Sequence, residues 1–489
     1  MDTQTLSAMP DIVDGLPNLC GADAQVEEVT SACEPVFLHD TKLQLNRLQS
    51  VFSIALHMQQ PLIPVGGYDL PTAEIISNLD YMMQHPDVGD NHNAPVFAEC
   101  YARIGDLIPE LINQGHHPRV MLDYSGELFY GLRKMGRGDV LDRLQGITCD
   151  GHLRKHAEWL GTMWGHAVAS STPLPDLKLH IRAWQHHFAA VYGFEALGRV
   201  RGFSPPEMHM PNHPDAAYEF VKTLKECGYR WLLVQEHTVE TVGGHGLQEK
   251  HLPHRLAAKN SSGEEASIIA IIKSQGSDTK LVAQMQPYFE AETLERREIG
   301  GISIPPIVTQ IGDGENGGVM MNEFPSCYRQ TTARYGTEGT VGVNATEYLE
   351  LIEQAGVTES MMPAIRPIHQ GKVFERITKW EPGAADKAIE QLTHECSEFS
   401  MEGGSWTNDI SWVHNYENVL TPMNKLSAKF HELLDGRDID TNSHAYRNAL
   451  YHLLVSQTSC FRYWGQGRWT DYAQEICRRG SAILDNDFR

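Results

Sequence analysis

The chain has no extended run of lysine and arginine, no Cys-x-x-Cys pair, no His-Glu-x-x-His and no apolar stretch long enough to span a bilayer. Each absence removes a class of function. With 40 basic against 63 acidic residues the formal charge is −23, so neither a nucleic acid nor a membrane surface is an expected partner. A neutral or polyhydroxylated partner fits that balance. The nine cysteines are odd in number and scattered, which reads as reduced thiols, with neither a disulfide framework nor a zinc site. The opening "MDTQTLSAMPDIVDGLPNLC" lacks a basic segment followed by an apolar one, so the cytoplasm is the expected compartment. Oligomeric state stays open at this level.

At 489 residues the chain exceeds what one compact core usually uses. Residues 1–45 are acidic and weakly patterned, and read as an N-terminal arm. Over residues 46–373 short apolar runs alternate with segments of helical period. "SVFSIAL", "RVMLDYS", "TMWGHAVA", "RVRGF", "YRWLLVQE", "SIIAIIKS" and "IPPIVTQIG" read as strands; "TAEIISNLDYMMQ", "VFAECYARIGDLIPELI", "ELFYGLRKM", "DLKLHIRAWQHHFAAVY" and "PDAAYEFVKTLKECG" read as helices. Such alternation predicts a parallel sheet with helical crossovers, and at this length a barrel. The polar, glycine-rich stretch 239–266 reads as a long loop. Residues 374–489 carry helical spacing and read as a C-terminal helical region.

In a parallel barrel, chemistry collects at the C-terminal ends of the strands. Glu207 in "RGFSPPEMHMPNH" stands at such an end behind Pro205 and Pro206. The prolines are expected to keep the backbone extended and present the carboxylate rigidly. Asp313 in "IPPIVTQIGDGENGG" has the same setting, where an apolar strand breaks into a glycine-rich turn. Two carboxylates at one barrel mouth suit glycoside chemistry, one as nucleophile or base and one as acid, about 5–5.5 Å apart for retention. Glu315 reads as a solvent-facing or loop-bracing residue. His209 is expected to face the same cavity.

These segments resemble glycoside hydrolase family 57, whose members include α-amylases, 4-α-glucanotransferases, amylopullulanases and branching enzymes. "HMQQP" is similar to the family's HxHQP, with His57, Gln60 and Pro61 kept and Gln59 at the second histidine position. "MWGHAVAS" places His166 in a Gly-x-x-His-like setting. "GFSPPEM" matches the nucleophile segment at Glu207, and "GDGENGG" the acid/base turn at Asp313, with Gly317 where an aromatic is usual. Trp406 and Asn408 in "GGSWTNDISW" look like the family's W-x-N segment. "SQTSCFRYWGQG" is similar to its late QCNxxYWHG segment at Gln457, Cys460, Tyr463 and Trp464, with Gly465 replacing histidine. The similarity runs in order from about Phe52 to Trp469.

The resemblance implies an incomplete (β/α)7 barrel followed by a C-terminal helical region, and a retaining enzyme acting on an α-1,4-glucan or maltooligosaccharide by hydrolysis or transfer. Glu207 would attack the anomeric carbon, and Asp313 would protonate the leaving oxygen. His57, Gln59 and His166 would bond sugar hydroxyls. Trp406 and Trp464 would offer stacking faces, leaving Trp412 to the core. No cofactor and no catalytic metal is expected: "QGHHP" and "WQHHF" lack zinc-ligand spacing, and "DGENGG" lacks the distal glutamate of a calcium loop. Two other readings stand beside this one: a catalytically weak carbohydrate-binding relative, motivated by Gln59 and Gly465, and a metal-dependent hydrolase or deacetylase on a similar barrel.

Overall fold

The computed structural model describes residues 9–274, 279–315, 318–397, 399–405, 415–463 and 467–489. Seven parallel strands close on themselves: β1 (Leu48–Met58), β2 (Val120–Tyr124), β3 (Ala157–Gly161), β4 (Gly202–Phe203), β5 (Trp231–Gln235), β6 (Glu265–Lys273) and β7 (Ile307–Asp313). Each pairs with the next, and β7 returns to β1 over the register Ile307↔Val51 to Asp313↔His57. The predicted seven-stranded barrel with a C-terminal helical region is therefore what the chain forms. Val51, Phe52, Ile54, Ala55 and Leu56 of β1 are all buried, as expected of a strand covered on both faces.

Helices follow the strands where local chemistry starts them. Ser125 ends the β2 segment and its hydroxyl accepts the Leu128 N–H, capping Gly126–Lys134. Pro214 opens Pro214–Glu226 after β4. No helix among the described residues is long and apolar enough to cross a membrane.

Three local expectations are corrected. The third strand is Ala157–Gly161; Thr162–Ala169 is instead the loop that leaves it, because His166 takes a positive φ of 51° that no strand accommodates. Residues 239–266 are not one loop. Val239–Thr241 and His254–Lys259 are strands, the latter antiparallel to β6, and Asn260 Oδ1 closes their turn by accepting the N–H groups of Ser262 and Glu264. Within "TAEIISNLDYMMQ", Glu74–Ser77 is a strand and only Asn78–Gln84 is helical.

Two segments tie the barrel to the rest of the chain. Residues 9–47 cross its outside, where Glu350 accepts the N–H groups of Val36, Phe37 and Leu38, and Arg447 donates to Asn18. The C-terminal helices Glu417–Leu434, His444–Val455 and Arg468–Asp487 pack together, and the buried stretch Ser456–Arg462 runs from them into the barrel mouth. There Gln457 bonds both His180 and Asp176, Ser459 N–H donates to the His166 carbonyl, and Ala167 pairs with Thr458. Gly165 makes this approach possible, since a Cβ there would strike the Leu454 carbonyl. Gly165→Ala is expected to lower stability by about 2 kcal/mol, measured by urea denaturation, and an unchanged midpoint would show that the two segments do not press together.

Candidate active site

The barrel register sets three ionisable groups side by side. Asp123 closes in on His57 from β2 and Asp313 from β7, each directly across the ladder from it. His57 Nδ1 lies 2.9 Å from Asp123 Oδ2. Burial works against a charge on His57, but Asp123 by charge and hydrogen bond, with Asp313 and Glu315 behind it, pushes its pKa up to about 10. The imidazolium therefore persists at neutral pH, with both ring nitrogens donating.

Its second nitrogen, Nε2, is 3.0 Å from His166 Nε2. His166 is 4 % exposed at its side chain; burial, the His57 charge and Arg462 hold its pKa well below the ordinary value. A neutral His166 accepts from His57 at Nε2 and carries its proton on Nδ1, 2.7 Å from Ser459 Oγ. Ser459 in turn donates to Glu207 Oε1 at 3.1 Å. Every proton in the series Asp123, His57, His166, Ser459, Glu207 thus has one donor and one acceptor, and Glu207 stands at its end as an acceptor.

The backbone at Glu207 departs from the extended form expected behind two prolines. Pro205 is extended, with φ −75° and ψ 136°, but Glu207 is left-handed at φ 59° and ψ 17°, and Met208 follows at φ 51°. Such conformations cost non-glycine residues roughly 1–2 kcal/mol each and persist only where the surroundings over-determine them. Here the turn aims the carboxylate, 10 % exposed at its side chain, at Ser459.

Beyond Asp313 the chain turns back, with Gly314 N–H donating to the His57 carbonyl at 2.8 Å. Of the two expectations for Glu315, bracing fits and solvent-facing does not: it lines the cleft and accepts from the Gln59 N–H at 3.4 Å. Burial and the neighbouring Asp313 raise it to about 8, and burial likewise raises Asp313 despite the opposing His57 charge. Gln59 donates through Nε2 to Glu127 Oε2 at 2.9 Å. Glu127 is fully buried, and burial lifts its carboxyl well above the ordinary range.

These groups border a cleft of about 860 Å³. Of the residues singled out in the sequence, His57, Gln59, His166, Glu207 and Asp313 all line it. His209 is instead fully buried, bonded to Ser170 and pressed against Gly403, and is not among the described lining residues. Trp406, Asn408, Trp412, Trp464, Gly465 and Gly317 lie outside the described residues. Asp123, Glu127 and Ser459 were not foreseen. Asp123 carried a readable signal, as an acid near the end of an otherwise apolar strand, like Asp313. Two acceptors beside the cleft, Gln59 Oε1 and Asp123 Oδ1, have no hydrogen-bond partner among the described residues, so the cleft suits a ligand that can donate.

No protein-family model and no curated protein sequence matches the chain. Solved structures do. A family 57 branching enzyme from Thermococcus kodakaraensis superposes with a TM-score of 0.52 at 12 % identity, over 90 % of this chain and 89 % of that one. An exo-type maltose-forming amylase from Pyrococcus sp. ST04 gives 0.50 at 12 %, over 89 % and 80 %. A 4-α-glucanotransferase from Thermococcus litoralis gives 0.50 at 16 %, over 84 % of this chain but 55 % of that one; the chain thus spans about half the length of the glucanotransferase. The fold is that of the glycoside hydrolase family 57 enzymes.

The shift on Glu315 has a consequence for stability. A carboxyl whose folded pKa is about 8 against an ordinary 4.5 binds its proton more tightly when folded, so its contribution is complete below pH 4.5 and is lost as pH rises to about 8. Unfolding free energy from urea titrations is expected to fall across that window, and Glu315→Gln to flatten the fall. An identical slope in the variant would contradict the assignment.

Proposed function

We propose that the chain is a retaining glycoside hydrolase or transglycosylase acting on α-1,4-glucans, with Glu207 as nucleophile and Asp313 as general acid/base. One observation carries this reading: the two carboxylates share a cleft in different settings. Glu207 accepts the Ser459 hydroxyl proton at 3.1 Å, while burial raises Asp313. A raised carboxyl suits the acid and a hydrogen-bonded carboxylate suits the nucleophile of a glycosidase.

In the first step Glu207 attacks the anomeric carbon, the glycosidic C–O bond breaks, and the leaving oxygen takes the Asp313 proton. In the second, water or an acceptor hydroxyl gives its proton to Asp313 and displaces Glu207. The unpaired oxygens of Gln59 and Asp123 accept from sugar hydroxyls at the cleavage point. The described lining residues include no lysine or arginine, which favours a neutral sugar over a phosphorylated one. Phe97, Tyr81 and Trp469 add apolar faces along the cleft. Trp406 and Trp464 are assigned the stacking role by the family resemblance alone. The competition between water and acceptor hydroxyl at the covalent intermediate decides between hydrolysis and transfer.

Incubating the purified chain with maltoheptaose and resolving the products tests the reading. Shorter or redistributed oligosaccharides are expected, with Glu207→Ala and Asp313→Ala each slower by about 10³-fold or more. Intact maltoheptaose with the parent, or full activity in either variant, would overturn it. Ser459→Ala is expected to lower kcat by about tenfold, the equivalent of one hydrogen bond of about 1.4 kcal/mol, with KM little changed. A change confined to KM would make Ser459 a binding group and not a positioning one.

A further inference from the structure

At the opposite end of the barrel, where strands β2 and β3 begin, lies a second cavity of about 250 Å³. Its chemistry reverses that of the cleft. Lys42 and Lys155 line it together with His116, His117 and His152, in a chain whose formal charge is −23. Among the described residues none of these five side chains has a hydrogen-bond or ion-pair partner. The walls do not supply the missing charge. Arg119 is held on two sides by Glu347, at 2.7 and 2.9 Å, and that carboxylate is spent on Arg119, Thr41 and the Asn344 N–H. His156 is packed against Arg119 and the Pro118 carbonyl. Asp40 is the one acid among the described lining residues.

The local field bears the mark of this imbalance. His117 is held below its ordinary pKa by burial and then by Arg119 and Lys42, with His116 and Lys155 adding to it. Two lysines and three imidazoles with free nitrogens converge from three separate chain segments on a space that no protein anion fills. Ammonium and imidazole groups arranged in this way match a compact dianion whose oxygens accept from several directions.

We propose that this cavity binds a phosphate group, either as the free ion or as the monoester of a small sugar. The site is separate from the cleft and independent of the activity assigned there. An anion in it would offset the repulsion between Lys42 and Lys155, and would tie together the segment before β1, the β2 and β3 entry loops, and the 336–337 turn that also lines the cavity.

Isothermal titration calorimetry of the full chain tests this, with inorganic phosphate and glucose 6-phosphate as probes and ionic strength held constant with sodium chloride. Saturable one-to-one binding is expected, weakened by about tenfold or more in the Lys42→Ala/Lys155→Ala variant. Lys42 is exposed and Lys155 half-buried, so the variant should keep the parent's melting temperature. Tighter binding of the monoester would assign the cavity to a sugar phosphate, and tighter binding of the free ion to inorganic phosphate. Heat that fails to saturate with both probes, or equal affinity in the folded double variant, would overturn the proposal.

Discussion

A buried positive charge organises the barrel mouth. His57 sits between Asp123 and Asp313 because the parallel register of β1 with its two neighbours brings all three to one level. Taking an imidazolium out of water is costly, and it is tolerated only because a carboxylate 2.9 Å away offsets the cost. From that charge the rest follows in order. His166, facing a cation, is driven neutral; a neutral His166 accepting at Nε2 must carry its proton on Nδ1; Ser459 accepts that proton's hydrogen bond and passes its own to Glu207. A change in the protonation of His57 would therefore reach Glu207 through three hydrogen bonds without touching it.

The same arrangement explains why the backbone tolerates positive φ at His166, Glu207 and Met208. Unfavourable single residues are stable where packing leaves no alternative. The His166 loop is clamped by the Ser456–Arg462 stretch, whose Ser459 meets both the His166 carbonyl and its ring. Gly165 lets the two backbones approach. The C-terminal helices are thus part of the site, since they deliver the hydroxyl that links His166 to Glu207.

Much of this was legible in the sequence. Apolar runs alternating with helical segments marked the barrel, and an acid at the end of an apolar run marked Glu207 and Asp313. Asp123 obeyed the same rule, as an acid near the end of an otherwise apolar strand. Ser459 carried no local signal, because its role comes from a contact with residues 252 and 293 positions away. His254–Lys259 escaped notice since its period-two burial spans only six residues inside a polar stretch. The strand at Ala157–Gly161 is masked in the sequence by "TMWGHAVA", which is equally apolar, since burial in a loop looks like burial in a strand. At Glu207 the prolines set the approach, as expected, but a left-handed turn aims the carboxylate.

The central claim is that Glu207 is the nucleophile. Trapping the covalent intermediate with 5-fluoro-α-D-glucosyl fluoride, followed by peptide mapping in a mass spectrometer, tests it directly. The account predicts a single glycosyl label on the peptide bearing Glu207, lost in Glu207→Ala. A label on Asp313 or Glu315, or turnover with inversion and no label, would contradict it.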